Sequence, residues 1–109
     1  MSYVPDRGDI VWLEFDPQKG HEQKGRRPEI VLSKKEYNQK SNLALICPIT
    51  SRIKGYPFEV RINSIIQGVM VSDQIRSIDW KSRNAAFIEK TSEEILNEIL
   101  ENINLLLNE

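Results

Sequence analysis

The pattern of apolar and polar residues predicts a small protein built mainly from β-strands. Along residues 9–15, Ile10 and Trp12 fall on one side of a strand and Val11 and Leu13 on the other. Because both sides are apolar, both should be covered. Four further strands are predicted at 29–33, 43–49, 58–62 and 68–71. Residues 74–78 extend or follow the last of these, and a short strand is predicted near 85–88.

Helical patterns complete the prediction. Residues 34–41 carry good helix formers and predict a short helix. The clearest helix begins at Thr91, which with Glu94 forms a capping-box pattern. Its apolar residues recur at three-four spacing, which indicates a packing face; they are Ile95, Leu96, Ile99, Leu100, Ile103, Leu106 and Leu107. Short strands with one terminal helix indicate a strongly bent antiparallel sheet or a barrel.

Length and composition narrow the class of protein. The 109 residues suit one domain over residues 1–109, and 39% hydrophobic and 28% charged residues are ordinary for a soluble globular protein. No run is long enough to span a bilayer and no signal peptide is present, so a cytoplasmic protein without a membrane partner is expected. One histidine and one cysteine argue against a zinc site. Cys47, in an apolar strand, is expected to be buried.

Charge is unevenly distributed along the chain. The net charge is −1, but residues 19–54 contain nine Lys or Arg against three Glu, whereas residues 92–109 contain five Glu and no base. The basic half suits a polyanion, although it could equally be a solvated face that balances the acidic helix.

Two polar loops carry the candidate chemistry. The segment 20–28 is too polar for a core and too rich in glycine for a helix, and residues 50–57 form a second polar loop. If the loops meet, Arg27 and Thr50 become neighbours, and a guanidinium beside a hydroxyl suits a phosphoryl group. Glu22 or Asp73 could then accept a proton, and His21 could donate or accept one. Such a set would serve metal-free RNA cleavage through the ribose 2′-OH, with no cofactor.

Sequence motifs make this interpretation more specific. The runs at 8–12, 15–17, 20–23 and 25–28, followed by those at 48–50, 54–60 and 73–79, resemble the MazF/PemK (Kid) toxin family of toxin–antitoxin endoribonucleases. The similarity covers nearly the whole chain. It implies an SH3-like small barrel of the CcdB/Kid/MazF-like toxin fold and a homodimer. It also implies ribosome-independent cleavage of single-stranded RNA at short sequences, with 2′,3′-cyclic phosphate and 5′-hydroxyl products, and inhibition by a cognate MazE-like antitoxin that is acidic and partly disordered.

The resemblance assigns roles to individual residues. Arg27 and Thr50 match the family's catalytic pair, and Glu22 matches its functionally important acid and is the favoured base. His21, Asp73 and Gln23 are possible acid–base or substrate-binding groups. Residues expected to bind RNA are Lys19, Lys24, Arg26, Ser51, Arg52, Lys54, Gln74 and Arg76. The Kid-like branch carries an arginine two residues before the Asp, where this chain has Val71, which argues against an Asp–Arg acid–base pair.

Two alternatives remain open at this point. The same barrel occurs in CcdB-like toxins, which bind DNA gyrase and cut nothing, and a degenerate toxin could keep the fold without turnover. Trp80 could stack on a base or on the antitoxin, or it could be a dimer contact or a partly buried residue.

Overall fold

The computed structural model describes residues 3–15 and 25–108. Nine helices and strands form within these residues. In chain order they are β1 (Asp9–Glu14), β2 (Arg26–Val31), α1 (Lys35–Ser41), β3 (Leu43–Thr50), β4 (Glu59–Asn63), β5 (Gln67–Val71), β6 (Arg76–Asp79), β7 (Ala86–Lys90) and α2 (Glu93–Asn108). Within the described ranges, neither helix has both the length and the apolar character needed to cross a lipid bilayer.

The strands form one antiparallel sheet that curls around β3. The strand order is β4-β5-β3-β2-β1-β7, and β6 also pairs with β3. One edge of β3 pairs with β2. Its other edge pairs first with β6, along residues 43–46, and then with β5, at Ile49 and Thr50. Because two strands share that edge in succession, the sheet bends, as the pattern of short strands predicted.

Each face of the sheet covers its own core. One core cluster contains Ile10 together with Ile30, Cys47, Ile62 and Met70, and Ile99 of α2 is buried in it. The other contains Val11 and Leu13 together with Val31, Ala44, Ile46, Ile78 and Trp80. Ile10 and Val11 therefore enter different cores, as expected for a strand that is apolar on both faces. Cys47 is fully buried, as predicted.

Strand β2 begins three residues earlier than predicted. In the antiparallel ladder with β1, Leu13 pairs with Arg27 and Glu14 with Arg26. Both arginines therefore lie in the strand and not in the loop before it. The sequence pattern placed the start at Glu29 because the charged residues before it have low strand propensity, but backbone pairing with β1 overrides that preference.

The start of α2 and the role of Trp80 also differ from the sequence pattern. Ser92, and not Thr91, is the N-cap, because its Oγ accepts a hydrogen bond from the backbone N–H of Ile95 at 3.2 Å. The N–H of Thr91 instead donates to the carbonyl of Gly8. Trp80 is buried, and its indole N–H donates to the carbonyl of Asn38 at 3.0 Å. It is therefore a core residue on this chain, not an exposed base platform.

Candidate functional site

A basic cavity lies at the end of β3. Its volume is about 240 Å³, and its lining includes Thr50, Arg52, Lys54, Tyr56 and Gln74. The sequence motifs single out four of the five, all but Tyr56, for catalysis or RNA binding. Val71 and Glu59 complete part of the wall. The second polar loop therefore folds over the strand end that carries the candidate hydroxyl.

Thr50 is held at this position by its neighbours. It is the last residue of β3 and pairs with Val69 of β5. Its Oγ1 accepts a hydrogen bond from the backbone N–H of Arg52 at 3.1 Å, which leaves the hydroxyl proton free to donate. A donor is what an anionic phosphate oxygen requires, so the geometry suits a phosphate ligand.

The loop between β3 and β4 is fixed by a carboxylate. Glu59 accepts hydrogen bonds from the backbone N–H groups of Lys54, at 3.1 Å, and Gly55, at 2.9 Å. The Lys54 ammonium lies 5.8 Å from the centre of the Tyr56 ring, and both side chains are exposed. The positive charges of this loop are therefore presented to solvent on a defined backbone. Ser51 is also exposed here but does not line the cavity.

Arg27 and Thr50 lie on adjoining strands. The last pair of the β2–β3 ladder is Glu29 with Pro48, and Arg27 and Thr50 each lie two residues beyond that pair at the same end of the ladder. Because side chains alternate along a strand, Arg27 shares a face with Glu29, and Thr50 shares it with Pro48. This geometry supports the prediction that the guanidinium and the hydroxyl are neighbours.

Three arginines surround the ring of Phe15. The guanidinium carbons of Arg27, Arg76 and Arg83 lie 5.1, 5.3 and 5.0 Å from the ring centre. They come from β2, from β6 and from the turn after β6, and Arg83 also donates to the carbonyl of Glu14 at 3.2 Å. An aromatic face attracts cations, but three like charges around one ring also repel each other. An anion placed among them would relieve that repulsion.

A buried carboxylate supports this arginine cluster. Glu29 is 1% exposed, and its Oε2 accepts a hydrogen bond from Arg76 Nη2 at 3.1 Å. Its Oε1 has no hydrogen-bond partner among the described residues. Burial raises the pKa of Glu29 to about 7, although the nearby Arg76 acts in the opposite direction. Burial together with the charge of Glu29 raises the pKa of Cys47 to about 12, so this thiol is not an activated nucleophile.

The remaining predicted site residues fall in three places. Asp73 and Gln74 lie exposed in the turn after β5, beside the cavity. Arg26 lies on the opposite face of β2 from Arg27, with its guanidinium 4.9 Å from the centre of the Trp12 ring. The predictions for the first loop lie outside the described residues; they concern Lys19, His21, Glu22, Gln23 and Lys24. The assignment of Glu22 as the base therefore stays a prediction.

Phe15, Arg83 and Glu29 are not among the candidates predicted from the sequence. Phe15 and Arg83 meet only through the pairing of distant segments, which one sequence does not reveal. Glu29 gives a usable signal, because alternation places it on the same face of β2 as the buried Val31. A carboxylate at a core-facing position needs a partner.

Comparison with known proteins identifies the family. Residues 6–107 match the family of the PemK-like, MazF-like toxins of type II toxin–antitoxin systems. The Endoribonuclease toxin MazF of Escherichia coli K12 is 45% identical over 106 residues, which is 96% of each chain. Endoribonuclease PemK of Escherichia coli is 34% identical over 110 residues, covering 94% of this chain and 81% of that protein.

A solved structure shows the same fold. The MazE–MazF crystal structure (Form-II) from Deinococcus radiodurans superposes with a TM-score of 0.90 and 47% identity, over 97% of each chain. This match confirms the predicted toxin-type barrel with a C-terminal helix, and none of these relatives supports the CcdB-like alternative. The chain therefore belongs to the PemK-like, MazF-like family of toxins of type II toxin–antitoxin systems.

Proposed function

We propose that this chain is an endoribonuclease toxin that cleaves single-stranded RNA at short sequences without a metal ion. The proposal is supported by the position of Arg27 and Thr50 on adjoining strands, two residues beyond the last pair between β2 and β3, and by the cavity that Thr50 lines together with Arg52 and Lys54. The names of the relatives agree with it, since both curated proteins are called endoribonucleases.

The proposed reaction is an internal transfer at phosphorus. The ribose 2′-oxygen forms a bond to phosphorus while the bond from phosphorus to the 5′-oxygen breaks, which yields a 2′,3′-cyclic phosphate and a 5′-hydroxyl. The proton leaves the 2′-OH for a base, and a proton is delivered to the departing 5′-oxygen. Negative charge accumulates on the phosphoryl oxygens during this step, and stabilising that charge is the main task of the site.

Each residue has a role in this reaction. The Arg27 guanidinium binds two phosphoryl oxygens and stabilises the phosphorane, and it is also a candidate acid. The Thr50 hydroxyl donates one hydrogen bond to the same group. Glu22 is the proposed base, with His21, Gln23 and Asp73 as further acid–base or substrate-binding groups. The RNA strand continues over the basic loop of Arg52 and Lys54.

Partners follow from the same reasoning. A related MazF was crystallised with MazE, and we propose that a MazE-like antitoxin inhibits this chain. An acidic, partly disordered antitoxin would complement the basic loops and become ordered as it binds. We also propose a cytoplasmic homodimer. Its support is the apolar end of α2, where Leu105, Leu106 and Leu107 are 54%, 42% and 75% exposed on one copy.

Cleavage of RNA in EDTA tests the proposal directly. Purified protein is incubated with a long single-stranded RNA, and the cut ends are mapped. We expect discrete cuts with cyclic-phosphate ends from the native chain and none from the Arg27→Ala variant. Arg61→Ala is the matched control, because Arg61 is an exposed arginine on β4 outside the site. Intact RNA after incubation with the folded native chain would contradict the proposal, and a gyrase supercoiling assay would then test the CcdB-like alternative.

A further inference from the structure

We propose that Glu29 is a positioning residue, which holds Arg76 in the arginine cluster around Phe15 so that the cluster binds an RNA backbone phosphate next to the one that is cut. The inference rests on the proposed RNA cleavage and adds a second phosphate site to it. The residues that build this second site are Phe15, Arg76 and Arg83, held by the carboxylate of Glu29.

The first argument is the position of the carboxylate. Glu29 is 1% exposed, and Arg76 is 45% exposed. The ion pair therefore reaches from the edge of the core to the surface. A guanidinium has five N–H donors in a planar fork, so the contact with Glu29 leaves donors of Arg76 for a ligand. A buried partner that fixes one end of an arginine directs its free donors outward.

The second argument is the balance of charge. Arg27, Arg76 and Arg83 place three positive charges around one ring, and Glu29, a single carboxylate, forms an ion pair with Arg76 and also acts on Arg27. Among the described residues, the cluster is thus short of anions. Arg27 is assigned to the phosphate that is cut, beside Thr50. The other two arginines then suit a neighbouring phosphate of the same strand, because successive phosphates run along the chain.

The third argument is the cost of the carboxylate where it lies. The Oε1 atom of Glu29 has no hydrogen-bond partner among the described residues, and a buried polar atom without a partner destabilises a protein. The chain would be more stable with an apolar residue in place of Glu29, facing the core cluster that contains Val31. A residue that costs stability and contacts an exposed arginine fits a role in ligand binding better than a role in folding.

Positioning and simple electrostatics predict opposite results. If Glu29 acted only as a negative charge, its removal would strengthen RNA binding. If it positions Arg76, its removal weakens binding, because Arg76 then samples other rotamers. Glu29→Gln separates these cases, since it keeps the size of the side chain and loses the charge.

The experiment measures, at pH 8, the binding of an RNA oligonucleotide whose ribose at the cut site is 2′-deoxy, so that cleavage cannot interfere. We expect Glu29→Gln to bind roughly tenfold more weakly than the native chain, because a hydrogen bond from Arg76 to a neutral amide oxygen is weaker than one to a carboxylate and holds the guanidinium less firmly. Arg76→Gln should weaken binding to a similar extent, and the double variant should be no weaker than Arg76→Gln alone. Arg61→Ala is again the control.

The dependence on salt identifies the ligand as a phosphate. For single strands the slope of log K against log salt changes by about 0.7 for each phosphate that the protein no longer neutralises. Because Arg76 and Arg83 share one phosphate, the double variant Arg76→Gln/Arg83→Gln should lower the slope by about that amount, each single variant should lower it by part of that amount, and Glu29→Gln should lower it as well. A structural role for Glu29 would leave the slope unchanged.

Several results would overturn the inference. The first is that Glu29→Gln binds the RNA as tightly as the native chain or more tightly. The second is that Glu29→Gln weakens binding by the same factor in the Arg76→Gln background as in the native chain. If Glu29→Gln fails to fold, unchanged binding and an unchanged salt slope in Arg76→Gln and Arg83→Gln would overturn it instead. If one of these results is obtained and the native chain still cleaves RNA, the proposed function stands and only the second phosphate site is excluded.

Discussion

Gly68 approaches the carbonyl group of Thr50 so closely that a side chain could not be added. A Cβ atom on Gly68 would lie 2.4 Å from the Thr50 oxygen, and the φ of Gly68 is +149°. Both features restrict this position to glycine. The glycine therefore sets the position of β5 beside the residue that carries the candidate catalytic hydroxyl.

We predict that Gly68→Ala lowers both stability and RNA cleavage. The added methyl group must displace Thr50 or β5, and we expect a loss of more than about 2 kcal/mol in the free energy of unfolding. Gly55→Ala is the control, because Gly55 also has a positive φ, +79°, but nothing lies within 4 Å of the added Cβ. Its cost should be about 1 kcal/mol. Urea unfolding and cleavage rates measure both variants, and equal costs would contradict the steric argument.

The hydroxyl of Thr50 can be tested without changing the shape of the site. Thr50→Val keeps the volume and loses the donor, and we expect a decrease in kcat of roughly 10²- to 10³-fold, the range for loss of one transition-state donor. Thr50→Ser keeps the donor and should retain most of the activity. Single-turnover cleavage of a short RNA measures this. A fully active Thr50→Val variant would exclude the hydroxyl from the reaction.

Glu29 should make the stability of the chain depend on pH. Its pKa is raised from 4.5 in the unfolded reference to about 7 in the folded chain. As pH rises from 4.5 to 7, the unfolded state releases its proton first, so stability falls across this range and stays lower above it. We expect Glu29→Gln to be more stable than the native chain by up to about 3 kcal/mol at pH 8, and similar to it at pH 4.5. An equal difference at the two pH values would contradict this assignment.

RNA affinity should also depend on the protonation of Glu29. Protonation of Glu29 removes the charged partner of Arg76, so binding of the uncleavable RNA by the native chain should weaken from pH 8 to pH 6. The ionisable groups that act on Glu29 among the described residues are Arg76 from β6 and Arg27 from its own strand. Cys47 from β3 is also nearby, with a pKa of about 12.

His21, outside the described residues, would add charge as the pH falls and so change affinity in the opposite direction. The comparison with Glu29→Gln isolates the contribution of Glu29, because His21 is present in both proteins. The ratio of native to Glu29→Gln affinity should fall towards one at pH 6. A ratio that does not vary with pH would contradict the coupling.

A core role for Trp80 can be separated from a role in RNA binding. Trp80→Phe keeps the aromatic ring and removes the indole N–H that donates to the carbonyl of Asn38 at 3.0 Å. We expect a loss of about 1–2 kcal/mol in the free energy of unfolding, since the smaller ring leaves buried space unfilled and the carbonyl of Asn38 keeps only its hydrogen bond from the backbone N–H of Asn42 at 3.0 Å. RNA affinity at a temperature where the variant is folded should not change. A weakened affinity with unchanged stability would point to base stacking instead.

The sequence singles out Arg27 and Thr50 as candidates but not the residues that surround them. Both residues follow from loop composition, from the strand endings and from the family motifs, which are local features. The arginine cluster around Phe15 depends on the registers of β1, β2 and β6, which are separated by tens of residues. Register is set by tertiary packing, so the local sequence pattern does not predict it.

Glu29 shows the same limit on a smaller scale. The pattern marks it as the start of a strand, whereas the ladder with β1 moves the start to Arg26 and makes Glu29 a buried residue within the strand. The N-cap of α2 lies one residue later than predicted for a similar reason. Thr91, the predicted N-cap, instead donates its backbone N–H to the carbonyl of Gly8 near the start of β1. Local propensity is correct about which elements form and less reliable about where they begin.

The pairing of β1 with β7 has a consequence during synthesis of the chain. Asp9 pairs with Lys90, and Ile10 near the N-terminus packs with Ile99 of α2. A nascent chain that ends before these residues lacks a neighbour for β1 and the cover of its first core. We therefore expect the sheet to close only after nearly all of the chain has left the ribosome. A toxin that attacks RNA would then become active on release, and not while its own message is still being translated.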